Sequence, residues 1–549
     1  MTRQLLAAAA LALAFTGGHS ATIPAQNSAA LEGRVSSAEE GLMEGVVVSA
    51  RKAGSPITVS VVSDEKGHFS FPSSKLVSGQ YALRVRATGY ELDAPVSMDV
   101  VLAVPALADL KLRKARDITP QLTNAEWIAS FPGTPDQKKF LYGCVGCHTL
   151  ERIAKSKHDT AGFLQVMKRM ASYANNSHVE RPQVRVRARD PVRNFGPDFE
   201  KQAAFLATLN QSAGPWSYAL KALPRAKGKG TRVVITEYDL PRKLMPHDVI
   251  VDRDGVAWFS QFDEQFLGKF DPRTLKTSEF AIPVQRPGFP KGTLDLEVDP
   301  QGNLWMSHMF QSGIVKFDRK TEKFQAFPLP AGTVNDDSQQ SMVGPQRWTV
   351  DNKVWLNDAG IPGVHRLDMA TGKFETWRPY ENLPKGPHSV YGIYADSRNN
   401  IFFMDFGGEN VGKIEAATGK LTLFPTPTPR SRPRRGRMDD QDRVWFAEWR
   451  AEKIGMFDTR TEKFREWTVP TPFTAPYDVA LDRDGKVWTA GMNTDRVLRM
   501  NVETGEFTEY PLPSPTNIRR VFVDNSTAPP TFWVGNNHHA ALVKLEPLE

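Results

Sequence analysis

Cysteine is nearly absent from this chain: two occur in 549 residues, Cys144 and Cys147. Structural disulfides have too few thiols to form a framework, so packed cores must hold the fold. The sequence also lacks any apolar run of about 20 residues, which leaves no helix able to span a membrane. The longest apolar stretch, residues 5–15, follows Arg3 and leads into small residues around 17–21. It reads as a secretory signal over residues 1–22, with no integral membrane segment after cleavage. No nicotinamide, flavin or nucleic-acid motif is present. The net charge of +7 therefore does not imply nucleic acid. It suits an acidic protein partner, an anionic substrate or a membrane surface.

What is there starts with those two cysteines, in Cys144-Val145-Gly146-Cys147-His148. C-x-x-C-H is the attachment signature of c-type haem. The thiols form thioethers to the vinyl groups, and the adjacent imidazole becomes the proximal iron ligand. A zinc site would need a second Cys or His pair, and none follows. A thioredoxin-type pair would need a βαβ context. One covalent haem c fits the signal segment, because haem is attached outside the bacterial cytoplasm. The expected address is the periplasm.

Residues 28–114 read as all-β. Gly45-Val46-Val47-Val48 and Tyr81-Ala82-Leu83-Arg84-Val85 are strand-like, and Asp64-Glu65-Lys66-Gly67 is a turn. With Phe69-Ser70-Phe71 and Arg86-Ala87-Thr88-Gly89-Tyr90, this order resembles the carboxypeptidase regulatory-like domain. That resemblance implies a small transthyretin-like β-sandwich with a structural role and no peptidase chemistry.

Residues 118–212 read as helical. Residues 136–142 lead into the haem motif, Asp159 or Thr160 caps a helix running to about Tyr173, and residues 199–209 form another. Helices around C-x-x-C-H resemble a single-haem class I cytochrome c. The second axial ligand should be Met or His. Met170 is favoured on its helix, with Met167 and His178 as alternatives, and His158 is too close to the motif.

From about residue 230 the chain repeats. Pro246-His247-Asp248-Val249 through Asp252-Arg253-Asp254-Gly255-Val256-Ala257-Trp258 is echoed by Pro476-Tyr477-Asp478-Val479 through Asp482-Arg483-Asp484-Gly485-Lys486-Val487-Trp488. Strand aromatics recur at Trp258, Trp305, Trp355, Phe402, Trp445, Trp488 and Trp533. Seven units with this spacing predict a seven-bladed β-propeller over residues 230–549. Ile235-Thr236-Glu237-Tyr238 resembles the outer strand Phe507-Thr508-Glu509-Tyr510, so it should complete the last blade. The fold class is thus multidomain and mainly β: a sandwich, a small all-α cytochrome c domain and a propeller.

The units resemble the virginiamycin B lyase-like (streptogramin lyase) family. Its lyase pairs a His opening one blade with a Glu fourteen residues later, beside magnesium. Here His247 has Gln261 at that offset and Glu448 has Arg434. No blade keeps both, a departure from the pattern for streptogramin ring opening.

The third residue after each strand aromatic should occupy one face: Gln261, His308, Asp358, Asp405, Glu448, Gly491 and Asn536. With His247, Tyr391, Arg434 and Tyr477, these predict a polar, titratable axial mouth. His308, His247 and Glu448 are the catalytic candidates. Asp358, Asp405 and Glu448 are candidate ligands of calcium or magnesium. Arg181, Arg185, Arg187, Arg189 and Arg193 suggest a basic rim for an acidic redox partner. Arg430, Arg432, Arg434, Arg435 and Arg437 suggest a small anionic substrate.

The expected function is an exported haem oxidoreductase that binds a small substrate at the mouth and passes electrons through the haem. The alternatives are a non-enzymatic electron carrier whose propeller is a docking module, and a streptogramin-like lyase with an altered site.

Overall fold

A seven-unit repeat can bury its strand faces only by stacking around a common axis, and the chain does so. The computed structural model describes residues 29–101, 104–212, 214–345, 350–384 and 386–548. The expected signal segment, residues 1–22, lies outside them.

Six blades are four-stranded antiparallel sheets running in order along the chain, from Pro246–Val251 in the first to Phe507–Pro511 in the sixth. The repeated Asp builds each blade's turn. Asp252 accepts the backbone N–H of Asp254 and Val256, and its other oxygen accepts Trp258 Nε1–H at 2.8 Å. Trp305, Trp445 and Trp488 repeat this bond with Asp299, Asp439 and Asp482. The indoles are therefore blade packing. In these four blades one side chain ties the tight turn to the buried aromatic six residues later, which accounts for their shared Asp-to-Trp spacing.

The seventh blade is closed as the sequence predicts. Val233–Asp239 pairs antiparallel with Ala541–Pro547, from Val233 opposite Pro547 to Asp239 opposite Ala541. Its other edge is not free. It pairs with Ile57–Val62 of the N-terminal module, Val234 opposite Val61 through Tyr238 opposite Ile57. Blade seven and one sheet of the sandwich are thus a single eight-stranded sheet. The second sandwich sheet is built on Ala29–Ser37, which pairs antiparallel with His68–Pro72 and parallel with Leu110–Lys114. Leu31, Val35, Val48, Val61, Phe69, Phe71 and Leu83 fill the core between them.

The helical stretch carries six α-helices among the described residues: α1 (Asn124–Ser130), α2 (Pro135–Lys138), α3 (Glu151–Ala154), α4 (Thr160–Ala171), α5 (Pro191–Phe195) and α6 (Phe199–Leu209). Thr123 and Glu126 form a reciprocal capping box on α1, and Asp159 caps α4 through Gly162 N–H. A 3-10 helix, Lys139–Gly146, continues α2 into the cysteine motif.

These helices do not stand apart. Trp127, Leu141, Tyr142, Val145, Met167 and Leu206 share one continuous apolar cluster with Met245, Phe262, Met309, Met342, Tyr391, Trp449 and Tyr477 of the propeller. Polar ties run round the ring. Arg181 bonds Asp263 at 2.8 Å, Asn176 bonds the Lys291 carbonyl at 2.6 Å, and Arg193 bonds Asp337 at 2.5 Å. Further round, Tyr142 donates to Glu452 at 2.5 Å, and Ala125 N–H donates to the Asn493 carbonyl at 2.8 Å. The helical layer caps the face on which the first strand of each blade begins.

Candidate functional site at the covered propeller mouth

The inner strands place two tiers of side chains on the axis. The deeper tier is a closed charge network. Asp248, Asp295, Arg435, Asp478 and Arg520 occupy equivalent positions in five blades, and all are buried. Arg435 reaches both oxygens of Asp248, at 3.0 and 2.8 Å, and Asp295 at 2.7 Å. Arg520 reaches Asp295 at 3.0 Å and Glu297 at 2.8 Å. Asp248 and Asp478 also accept the backbone N–H of Leu296 and Val521 in the next blade. Burial alone would raise the Asp248 carboxyl, but Arg435 and Arg520 outweigh it and hold it well below the usual range.

The tier above faces the helices and carries His247, Leu294, Tyr391, Arg434, Tyr477 and Arg519. His247 Nδ1 lies 2.6 Å from Asp248 Oδ1. Because Asp248 is ionised, that nitrogen carries the proton, and Nε2 holds a lone pair with no partner. Burial pushes the imidazole down to about 4, so it is neutral near pH 7. The ring stands 4.6 Å from the Phe262 centroid and 6.4 Å from that of Tyr477. The Tyr391 and Tyr477 hydroxyls meet at 2.5 Å. Arg434 lies 3.7 Å from the Tyr477 ring centroid, and Arg519 lies 4.8 Å from that of Phe262.

The cysteine motif sits directly on this tier. The Gly146 carbonyl accepts a bond from Arg519. Half-buried His538, in the loop closing blade seven, faces the Val145 backbone with both ring nitrogens shielded, and their desolvation pushes it down to about 3. His148 Nδ1 lies 2.9 Å from the Thr149 carbonyl, so it donates there and Nε2 is left to bind a metal. Cys144 and Cys147 are unpaired and half-buried, with the Cys144 thiol pushed up to about 12 by burial. This donor set fits a covalent haem: two free thiols, and an imidazole whose outer nitrogen is already fixed. Met167 is buried in the shared cluster, whereas Met170, the favoured second ligand, is half-buried near the end of α4.

Several expected site residues are placed elsewhere. The open mouth is instead covered by the helical layer. His308 is locked between blades one and two, its Nε2 against Gln265, and does not meet Glu448. Asp358, Asp405 and Glu448 do not converge. Asp358 accepts the N–H groups of Gln339, Gly360 and Ile361, and Asp405 accepts those of Ser389 and Gly408 while holding His388 at 2.8 Å. Among the described residues no three His, Cys, Asp or Glu side chains form a group able to hold a metal ion. The shared register puts these residues at the ends of second strands, where Asp358 and Asp405 close their own loops, His308 meets Gln265 of blade one and Glu448 lies beside Glu466.

The arginine runs are also mostly committed. Arg181, Arg189 and Arg193 pair with propeller acids, and Arg185 lies over the Phe310 ring, so the expected basic rim is largely an internal seam. Arg435 belongs to the axial network, and Arg434 alone of its run is in the upper tier. Arg519 and Arg520 carried no signal of their own. Aligning Ile518-Arg519-Arg520-Val521 with Pro246-His247-Asp248-Val249 would have found them.

Glu448 points to its own blade. Burial and the adjacent Glu466 carboxylate push it up to about 8. The folded state therefore keeps a proton that the unfolded chain releases near the ordinary value of 4.5, and stability falls as pH rises between those values. Glu448→Gln should raise the melting temperature at about pH 9 and leave it nearly unchanged at about pH 5. Equal offsets at both pH values would contradict this environment.

The sequence pattern of the virginiamycin B lyase family matches residues 225–500, half of the chain. The carboxypeptidase regulatory-like domain matches residues 30–113. A streptogramin B lyase structure is 21% identical with a TM-score of 0.50, covering 58% of this chain and 100% of its own. The virginiamycin B lyase of Staphylococcus aureus is 21% identical with a TM-score of 0.49, covering 57% of this chain and 99% of its own. At this identity the likeness concerns the fold alone. No curated protein matches the chain.

Proposed function

The chain belongs to the virginiamycin B lyase family, and from that premise we propose an exported, periplasmic c-type haem oxidoreductase whose substrate binds in the covered propeller mouth. The observation that carries this reading is the seat of the Cys144–His148 motif. It rests on the upper tier through Gly146 and Arg519, next to the free Nε2 of His247. Haem attachment and mouth share one water-poor space.

Cys144 and Cys147 would hold the haem by thioethers, and His148 Nε2 and Met170 would be the residues offered to its iron. When bound, haem c supplies one-electron acceptance. The chain's own residues do the rest. Asp248 fixes the His247 tautomer, so Nε2 accepts a hydrogen bond or a proton from a substrate O–H or N–H. Arg435 and Arg520 keep Asp248 ionised and immobile. The helical layer excludes water, which strengthens each polar contact beneath it. Electrons would leave through a redox partner protein.

The test is a visible spectrum of the exported, haem-loaded protein during addition of periplasmic fractions. Reduction by the low-molecular-weight fraction is the expected result. Reduction by the protein fraction alone would instead make it an electron carrier with the propeller as a docking module. The His247–Asp248 pair favours one further reading, a lyase using His247 as base. That reading requires turnover of a small molecule with the haem redox state unchanged.

A further inference from the structure

The upper tier is charged in one sense only. Arg434 and Arg519 stand in it, and among the described residues neither meets a carboxylate. Arg519 spends its hydrogen bonds on the Asn517 side chain and the Gly146 carbonyl. Arg434 has a 3.7 Å contact to Met492 Sδ, and its Nε has no partner. Tyr391, Phe406, Trp449 and Tyr477 surround its guanidinium with ring faces, 3.7 to 5.2 Å from their centroids. The acids of the deeper tier are bonded to Arg435, Arg437 and Arg520, and none of them makes an ion pair with Arg434 or Arg519. Two cations in a low-dielectric space without a counter-charge are costly, and an anion removes that cost. A guanidinium fork matches the planar, two-oxygen edge of a carboxylate.

A second deficit lies beside the first. His247 is 1% exposed, and its Nε2 is an acceptor with no donor. His247 and Arg519 flank the same Phe262 ring, while His247 and Arg434 flank the same Tyr477 ring. The two shared rings place His247 close to both arginines.

We propose that the mouth binds a small hydroxycarboxylate, its carboxylate held by Arg434 and Arg519 and its hydroxyl donating to His247 Nε2. This names the substrate class for the oxidoreductase reading and rests on that reading for its catalytic meaning; oxidising the carbinol releases two electrons, which one haem would hand singly to the redox partner in two successive steps. Binding itself needs no redox step.

The experiment is calorimetric titration of the exported full chain with lactate, with propionate, which lacks the hydroxyl, and with lactamide, which lacks the charge, all at matched ionic strength. Lactate should bind saturably, propionate more weakly and lactamide not measurably. Arg434→Gln should weaken lactate about tenfold or more, the scale of losing a charged hydrogen bond, and Arg434→Lys should recover part of it. His247→Phe should erase the preference for lactate over propionate.

Equal binding of all three probes, or no saturable binding, overturns the proposal. So does a change in haem reduction potential in Arg434→Gln without any lactate binding, because the arginines would then hold a haem propionate. The two readings fail separately. Lactate binding by an exported protein that carries no haem would keep the site and remove the oxidoreductase. Haem reduction by a neutral small molecule without lactate binding would do the reverse.

Discussion

Asp248→Ala should destabilise the propeller by about 3–5 kcal/mol, the usual cost of removing one partner from a buried ion network. Asp248 is fully buried and is the meeting point of both arginines. It also orients His247 and accepts the N–H of the next blade. Removing it leaves Arg435 and Arg520 facing Asp295 with less compensation, opens the link from blade one to blade two, and frees the His247 ring. The check is thermal unfolding followed by circular dichroism, read as a melting temperature because a chain of several modules need not unfold in two states. Asp248→Asn, which keeps the shape but not the charge, should fall between alanine and the parent. The pair Asp248→Ala with Arg435→Ala should lose less than the sum of the single changes, since the first removes part of what the second would break. A single variant that melts with the parent would show that the axial charges are dispensable.

The second large effect concerns the haem. Cys144→Ser with Cys147→Ser should abolish all haem that survives acid–acetone extraction of the exported protein, because no other thiol exists in the chain. His148→Ala should keep the thioethers and shift the visible spectrum, since only the iron ligand changes. The propeller should still fold in the cysteine variant: its closure depends on strand pairing, and the motif touches it from above. An exported parent protein with no covalently bound haem would refute the function proposed for this chain.

Much of the fold was legible because it is local or periodic. In five of the seven units the Asp turn and its aromatic lie six residues apart, which made the register plain. The closing strand was readable because Ile235-Thr236-Glu237-Tyr238 repeats the outer-strand pattern of the sixth blade. The helices near the motif were legible at residues 136–142, from the Asp159 cap and at residues 199–209, whereas α1 and its Thr123 cap were not read. The site was less legible, for two reasons. Register says which residues are equivalent, but not whether an equivalent position faces the axis or its own loop, and this misplaced His308, Asp358, Asp405 and Glu448. The covering of the mouth depends on pairs far apart in sequence, such as Arg193 with Asp337 and Gly146 with Arg519. No short pattern encodes such contacts. His247 was found because it opens a repeat, while its partner Asp248 was visible in the same string and gained meaning only once Arg435 and Arg520 were placed around it.

The strand Val233–Asp239 has a partner on each side, Ala541–Pro547 and Ile57–Val62. These partners lie at opposite ends of the sequence, so they reach the strand at different times during synthesis. The N-terminal sandwich is complete long before the last blade exists. It offers Ile57–Val62 as a template that holds the waiting strand extended, with one row of backbone groups already satisfied and less of it free to recruit a neighbouring chain. When the C-terminal strand emerges, it meets a fixed edge instead of a floating segment. The sandwich thereby acts as a jig for the ring, which gives this module a reason to be fused ahead of the propeller.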